Sequence, residues 1–198
     1  MVTKSTVDDL PAIHDLLGEL APSRWALFFL VPVGRGHSVQ GISANRTEAL
    51  LNWVVTKSSS GFPIKTTEAH HVRRIAAVRM RARGLSDDEI AASPLGRGFG
   101  IRDGNGIVFV SHIGAVYPSG FLPMAAGNVR RSDLTTIYRE SILFQDLRQP
   151  DRLLDKCGRC EFRRICGGSR ARAYAETGNP LASDSLCVYQ PSGDAPVL

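Results

Sequence analysis

The sequence predicts an α/β segment that gives way to an α+β domain: a partial (half) βα barrel over residues 1–95, then a β-hairpin and a cysteine-rich loop over residues 96–198. Three observations predict it. Helical and strand-like patterns alternate as α, β, α, β, α through the first 95 residues, the mark of a parallel sheet with crossover helices. From Gly104 the pattern changes to short strands around a tight turn. All four cysteines, Cys157, Cys160, Cys166 and Cys187, lie near the C-terminal end of the 198-residue chain.

Thr6 to Ala21 reads as a helix, with Asp8 and Asp9 at its positive N-terminal end and an inward stripe of Leu10, Ile13, Leu17 and Leu20. Trp25 to Val33 (WALFFLVPV) is nearly continuous apolar, as in a strand buried on both faces. Gly34-Arg35-Gly36 breaks it. Ser43 caps a helix over Ala44 to Lys57 that turns Leu50, Leu51, Val54 and Val55 inward. Phe62 to Thr67 reads as a second strand, and Glu68 to Arg83 as a helix closed by Gly84. Two strands cannot close a barrel of about eight units, so this segment is expected to leave apolar sheet or helix surface open.

Ser86 to Glu89 (SDDE) starts a short helix inside a connector. Ile107–Ser111 and Ala115–Pro118 flank His112-Ile113-Gly114 as a hairpin. Ser132 to Leu147 is helical with a break near Ser141, and Gly168 to Thr177 is a helix stopped by Gly178-Asn179-Pro180.

Composition narrows the function. Charged residues are 22% and hydrophobic residues 43%, which fits a folded globular protein. The longest apolar run, Trp25–Val33, is about half a bilayer span, so no membrane association is expected. No secretion signal is visible, and a cytoplasmic location is the expectation. The net charge of +5 comes without aromatic interleaving or a nucleic-acid motif, so nucleic acid is not an expected partner.

Residues 157–166 read CGRCEFRRIC, a C-x2-C-x5-C run, and the fourth cysteine lies 21 residues further on. Four cysteines in one short segment point to metal ligation. Zinc ribbons place two C-x2-C knuckles about 15–20 residues apart; here there is one knuckle, one near cysteine and one distant one. A cubane is wider than one ion and accepts such spacing. An iron–sulfur cluster, a structural zinc and a disulfide pair all stay open on these grounds. Arg159, Arg163, Arg164, Arg170 and Arg172 offer positive charge near the thiolates, read first as a solvated face. His70 and His71 read as partly exposed and without a ligand role, and Tyr174 as packing on the cysteine loop.

The tail CGRCEFRRICGGSRARAYAETGNPLASDSLCVYQP resembles the auxiliary-cluster (SPASM/twitch) domain at the C-terminus of radical S-adenosylmethionine (SAM) enzymes. GNGIVFVSHIGAVYPSGFLPMAAGNVRRSDLTTIYRES is similar to that domain's hairpin and helix, and RWALFFLVPVGRG and FPIKTTEAHHVRR to late strand regions of the family's partial barrel. The branch it looks closest to includes radical enzymes of heme biosynthesis. The resemblance implies one auxiliary [4Fe–4S] cluster on Cys157, Cys160, Cys166 and Cys187, serving electron transfer or structural support in radical modification of a porphyrin or peptide. The domain's other cluster has lost its ligands, with Ser119 and Arg170 at two of those positions. The C-x3-C-x2-C triplet that binds SAM is absent, since no cysteine precedes Cys157. SAM is therefore expected only with a missing N-terminal half or a partner chain. The implied partners are a chain carrying the radical SAM cluster, or self-association, and a reductant such as ferredoxin or flavodoxin. Arg35, Thr67 and Glu68, at strand ends, are candidate SAM-pocket residues. The competing class is a non-enzymatic zinc-binding or adaptor module.

Overall fold

The computed structural model describes residues 1–59 and 61–192, so the last six residues of the 96–198 span lie outside it. A single 3-10 turn, Val7–Asp9, leads into α1 (Leu10–Leu20), which starts with Pro11, where a missing N–H costs nothing. Only Leu10 of the expected stripe is buried. Ile13, Leu16 and Leu20 are exposed, Leu16 by 56% and Leu20 by 69%, because no second layer among the described residues covers α1 on that side.

β1 (Trp25–Phe28) pairs in parallel with β2 (Ile64–Thr67), from Trp25↔Ile64 to Phe28↔Thr67. The strand expected over Trp25–Val33 is thus shorter. Its ladder ends at Phe29 N–H on Thr67 C=O, 3.0 Å, where β2 turns away at Glu68, and further on Val33 N–H turns back to Val31 C=O at 2.8 Å into the 3-10 segment Gly34–Ser38. Nor is β1 buried on both faces: Ala26 and its partner Lys65 are exposed. Between the strands runs α2 (Ala44–Ser58), capped as expected by Ser43, whose Oγ accepts from Arg46 N–H at 3.2 Å. Leu50, Leu51 and Val54 of α2 meet Val2, Leu27 and Phe29 in the N-terminal core.

Glu68 takes a left-handed backbone, φ +60°, and turns the chain from β2 into α3 (His71–Ala82). α4 (Asp87–Ala92) carries a full capping box between Ser86 and Glu89. β3 (Arg102–Asp103) and β4 (Gly106–Ile107) form a two-residue parallel ladder. β5 (Phe109–Val110), β6 (Ala115–Tyr117) and β7 (Gly127–Asn128) form an antiparallel sheet in that order. α5 (Leu134–Glu140) and α6 (Ile142–Arg148) are separated at Ser141, whose extended backbone breaks the helix. α7 (Asp155–Gly158) opens the cysteine segment and α8 (Arg170–Thr177) follows it, ended by Gly178 at φ +75°.

The result is a mixed α/β chain with small sheets. Among the described residues no sheet exceeds three strands and none closes into a barrel. No helix among them is long and apolar enough to cross a membrane. A second core joins Ala77 of α3 and Ile90 of α4 to Phe162, Ile165 and Cys166, so α3 is the element against which the cysteine segment packs.

Candidate metal centre

α7 brings Cys157 up on a tight turn that only glycine permits, since a Cβ on Gly158 would stand 2.2 Å from Leu153 C=O. A run of turns carries Cys160 to Cys166. Gly167 and Gly168, both left-handed at φ +68° and +64°, then reverse the chain. A Cβ on Gly167 would lie 3.0 Å from Arg102 Cδ, and one on Gly168 would lie 2.8 Å from Asp184 Cβ.

Several contacts return the distant Cys187 to the other three. Lys156 Nζ donates to Cys187 C=O, and Cys157 N–H to Ser183 Oγ at 3.0 Å. Leu154 N–H donates to Leu181 C=O at 2.9 Å. Tyr189 packs edge-on against Phe162, ring centroids 5.5 Å apart, and its hydroxyl donates to Glu161 Oε1.

All four cysteines are free thiols and all four line one cavity, with about 380 Å³ of atom-free space including its mouth. The other walls include His71, Arg74, Lys156, Phe162, Arg163 and Tyr189, with the two glycines. Three sulfurs accept a backbone N–H from the residue two positions on: Cys160 from Phe162, Cys166 from Gly168 and Cys187 from Tyr189. Such N–H groups stabilise sulfur that carries negative charge. Burial pushes the Cys160 thiol up to about 11 and Cys166 up to about 12, and it raises Cys187 as well. These sulfurs are protonated at neutral pH until a metal displaces the protons.

Among the described residues, no group of three or more His, Cys, Asp or Glu side chains stands close enough to hold one metal ion. Cationic side chains stand around the thiols. Arg74 is held by Glu48 Oε2 at 2.5 Å and lies over the Tyr189 ring at 4.9 Å. Arg170 Nη2 lies 3.9 Å from Cys157 Sγ. A thiolate-ligated cubane takes four thiolates and carries net negative charge, and this donor set and its surrounding charge fit it.

The arginines are not a single solvated face. Arg170 and Arg172 are 0% and 1% exposed, because the α8 N-terminus docks inside the domain. Arg170 Nη1 donates to Pro180 and Ala182 carbonyls at 2.9 and 2.6 Å. Asp103 Oδ2 accepts from the Arg170 and Ala171 amides at 3.0 Å each, capping α8. Arg164 is exposed and Arg163 half-buried in the wall of the thiol cavity, both on Asp151. Tyr174 packs with Val31, Leu122 and Leu147, away from the cysteine loop.

His70 and His71 are buried, not partly exposed, because the Glu68 turn points the start of α3 inward. His71 lies 3.1 Å through Nε2 from Asp184 Oδ2, and Asp184 also takes Arg172 Nη1 and the Ser169 amide. Burial opposes charge on Asp184, yet Arg172, His71 and the Ser169 amide hold it well below the usual carboxylate range. Among the SAM-pocket candidates, Arg35 is exposed in the 3-10 segment and Thr67 ends β2. The Glu68 carboxylate accepts from Ser169 Oγ, and its carbonyl accepts from Arg172 Nη2 at 2.7 Å. None of the three lines the thiol cavity. Reading the sequence missed His71, Arg74 and Asp184. The available signal was the His pair directly after a strand end, and an acid three residues before the last cysteine.

No protein-family model matches the chain. It is 36% identical over 194 residues to the AdoMet-dependent heme synthase of Methanosarcina barkeri, covering 96% of this chain and 55% of that protein. The enzyme of the same name from Nitratidesulfovibrio vulgaris is 36% identical over 195 residues, 96% of this chain and 53% of that protein. Fe-coproporphyrin III synthase of Methanosarcina barkeri is 28% identical over 202 residues, 94% of this chain and 51% of that protein. The chain spans about half the length of the curated relatives it matches.

Proposed function

We propose, from the premise that this chain belongs to the radical S-adenosylmethionine enzymes and corresponds to about half of an AdoMet-dependent heme synthase, that it is the auxiliary-cluster half of such an enzyme. Cys157, Cys160, Cys166 and Cys187 hold one [4Fe–4S] cluster. The observation that carries this reading is four free thiols on one cavity, three of them with an N–H directed at sulfur. A cluster with four thiolate ligands supplies low-potential electron transfer or structural support and leaves no iron open to substrate. Lys156, Arg74 and Arg170 offset its charge, and the buried Arg172–Asp184 pair fixes the segment that returns Cys187.

The relatives' names favour a porphyrin over a peptide as the substrate of the whole enzyme. The S-adenosylmethionine chemistry belongs to the portion of those relatives that this chain does not span, since no cysteine precedes Cys157. That portion packs against the open side of α1 and the β1–β2 sheet, as a half barrel meeting its other half. Electrons arrive from a small reductant of the ferredoxin or flavodoxin class.

The test is composition. Anaerobically purified protein is brown and holds roughly four irons and four acid-labile sulfides per chain. Stoichiometric zinc without sulfide would replace this reading with the zinc-binding alternative.

A further inference from the structure

We infer that Lys65 is a specificity-determining residue: it stands on the open face of the β1–β2 sheet and anchors a peripheral carboxylate of the porphyrin bound there. The inference rests on the porphyrin reading above, and its readout does not depend on the cluster.

The two faces of the sheet differ. Trp25, Leu27 and Ile64 turn to one side, into the core that α1, α2 and α3 share through Leu10, Leu51 and Ile75. Side chains alternate along a strand, so Ala26 and Phe28, with their partners Lys65 and Thr67, turn to the other. Ala26 and Lys65 are exposed there, and Phe28 and Thr67 are half-buried. Phe121, from the loop after β6, meets Phe28 edge-on with ring centroids 4.9 Å apart. Of the four strand residues on this face only Lys65 is charged, and it forms no ion pair with any described residue. Parallel sheets are covered on both faces as a rule. In a βα barrel the face turned away from the helices lines the interior. A lysine enclosed there needs an anionic partner, because an unpaired buried ammonium is costly. Shape and charge select that partner. A flat apolar macrocycle packs on aromatic rings, and a carboxylate at its rim forms a charge-assisted hydrogen bond with the ammonium. S-adenosylmethionine carries a carboxylate too, but beside a sulfonium and an ammonium that Lys65 repels.

The probe is metal-free coproporphyrin III, a tetracarboxylate without iron, so no thiol or imidazole ligates it. Its tetramethyl ester keeps the ring and removes the charge. Wild-type, Lys65→Gln and Lys65→Arg chains, reconstituted anaerobically, are titrated with each and followed by porphyrin fluorescence. Lys65 is exposed, so neither substitution disturbs the core. Lys65→Gln is expected to weaken binding of the tetracarboxylate about tenfold and to leave the ester unchanged within about twofold, the coupling expected of a direct charge contact. Lys65→Arg is expected to stay near the wild type with both. Equal losses for acid and ester, no loss for either, or a wild-type chain that binds neither overturns the inference. Binding of S-adenosylmethionine that falls in K65Q while the tetracarboxylate holds would give the lysine to that cofactor instead, and also overturns it. Iron and sulfide analysis of the same samples keeps the two readings apart. A chain without iron and sulfide overturns the cluster reading, whereas the comparison of acid with ester decides the role of Lys65.

Discussion

Arg172 and Asp184 form a chelated ion pair, with Nη1 at 3.1 and 3.0 Å from the two carboxylate oxygens and both side chains sealed from solvent. The pair binds α8 to the segment that carries Cys187. Through Arg172 Nη2 it also reaches the Leu30 and Glu68 carbonyls, at 3.1 and 2.7 Å, at the ends of the parallel strands. One guanidinium thus ties the strand layer to the cysteine segment. Removing one partner of such a pair strands the other charge inside the protein.

Asp184→Asn is therefore expected to destabilise the chain by about 3–5 kcal/mol, the cost typical of breaking a buried pair. Urea unfolding of the metal-free protein measures it. A loss below about 1 kcal/mol would mean that the ion pair contributes little.

Glu68 gives the opposite sign. Burial first, and the Asp103 carboxylate second, push it up to about 7. An unfolded Glu titrates near 4.3, so between these values the folded chain binds the extra proton. Stability from this group is full below about pH 4.3 and falls as pH rises to about 7. Glu68→Gln keeps an acceptor for Ser169 Oγ without the charge. It is expected to match the wild type near pH 5 and to exceed it by about 1–3 kcal/mol at pH 8. His70, which burial holds well below its usual value, shifts stability the other way in both proteins, so the difference between them isolates Glu68. Parallel stability profiles from pH 5 to pH 8 would rule this account out.

The glycine pair offers a steric test. Gly168→Ala puts a methyl group 2.8 Å from Asp184 Cβ at a left-handed backbone. Gly178→Ala is also left-handed, but nothing lies within 4 Å of its Cβ. The first is expected to cost several kcal/mol and the second about 1 kcal/mol. Equal losses on thermal or urea unfolding would show that close approach at Gly168 carries no penalty.

The local signals were legible where one segment decides its own structure. Ser43 and Ser86 cap their helices, Ser141 interrupts one and Gly178 ends another, each through its own backbone or side chain. What the sequence hid depends on distant partners. Arg170 and Arg172 look like surface charge in an Arg-rich run, and only Asp184 and the Pro180 and Ala182 carbonyls make their burial tolerable. The apolar spacing of α1 reads as a core face, yet no layer among the described residues covers Leu16 and Leu20. The thiols drew attention by spacing alone, whereas His71 reaches their cavity through a single left-handed residue at Glu68.

That open face leads to the last prediction. Ile13, Leu16 and Leu20 stand on one exposed stretch of α1, beside a parallel sheet of two strands. Apolar surface of this kind is covered in assemblies. The chain alone, even with its cluster rebuilt, is expected to yield no 5′-deoxyadenosine from S-adenosylmethionine and reductant, because it has no thiols beyond the four already assigned. The missing half of a relative, supplied in trans, is expected to co-elute with it and restore turnover. Leu16→Glu with Leu20→Glu places charge in the proposed seam without touching the thiol cavity. These changes are expected to abolish co-elution while iron and sulfide content stays at the wild-type level. Co-elution that survives both charges would place the seam elsewhere, and cleavage of S-adenosylmethionine by the chain alone would refute the division of labour between the halves.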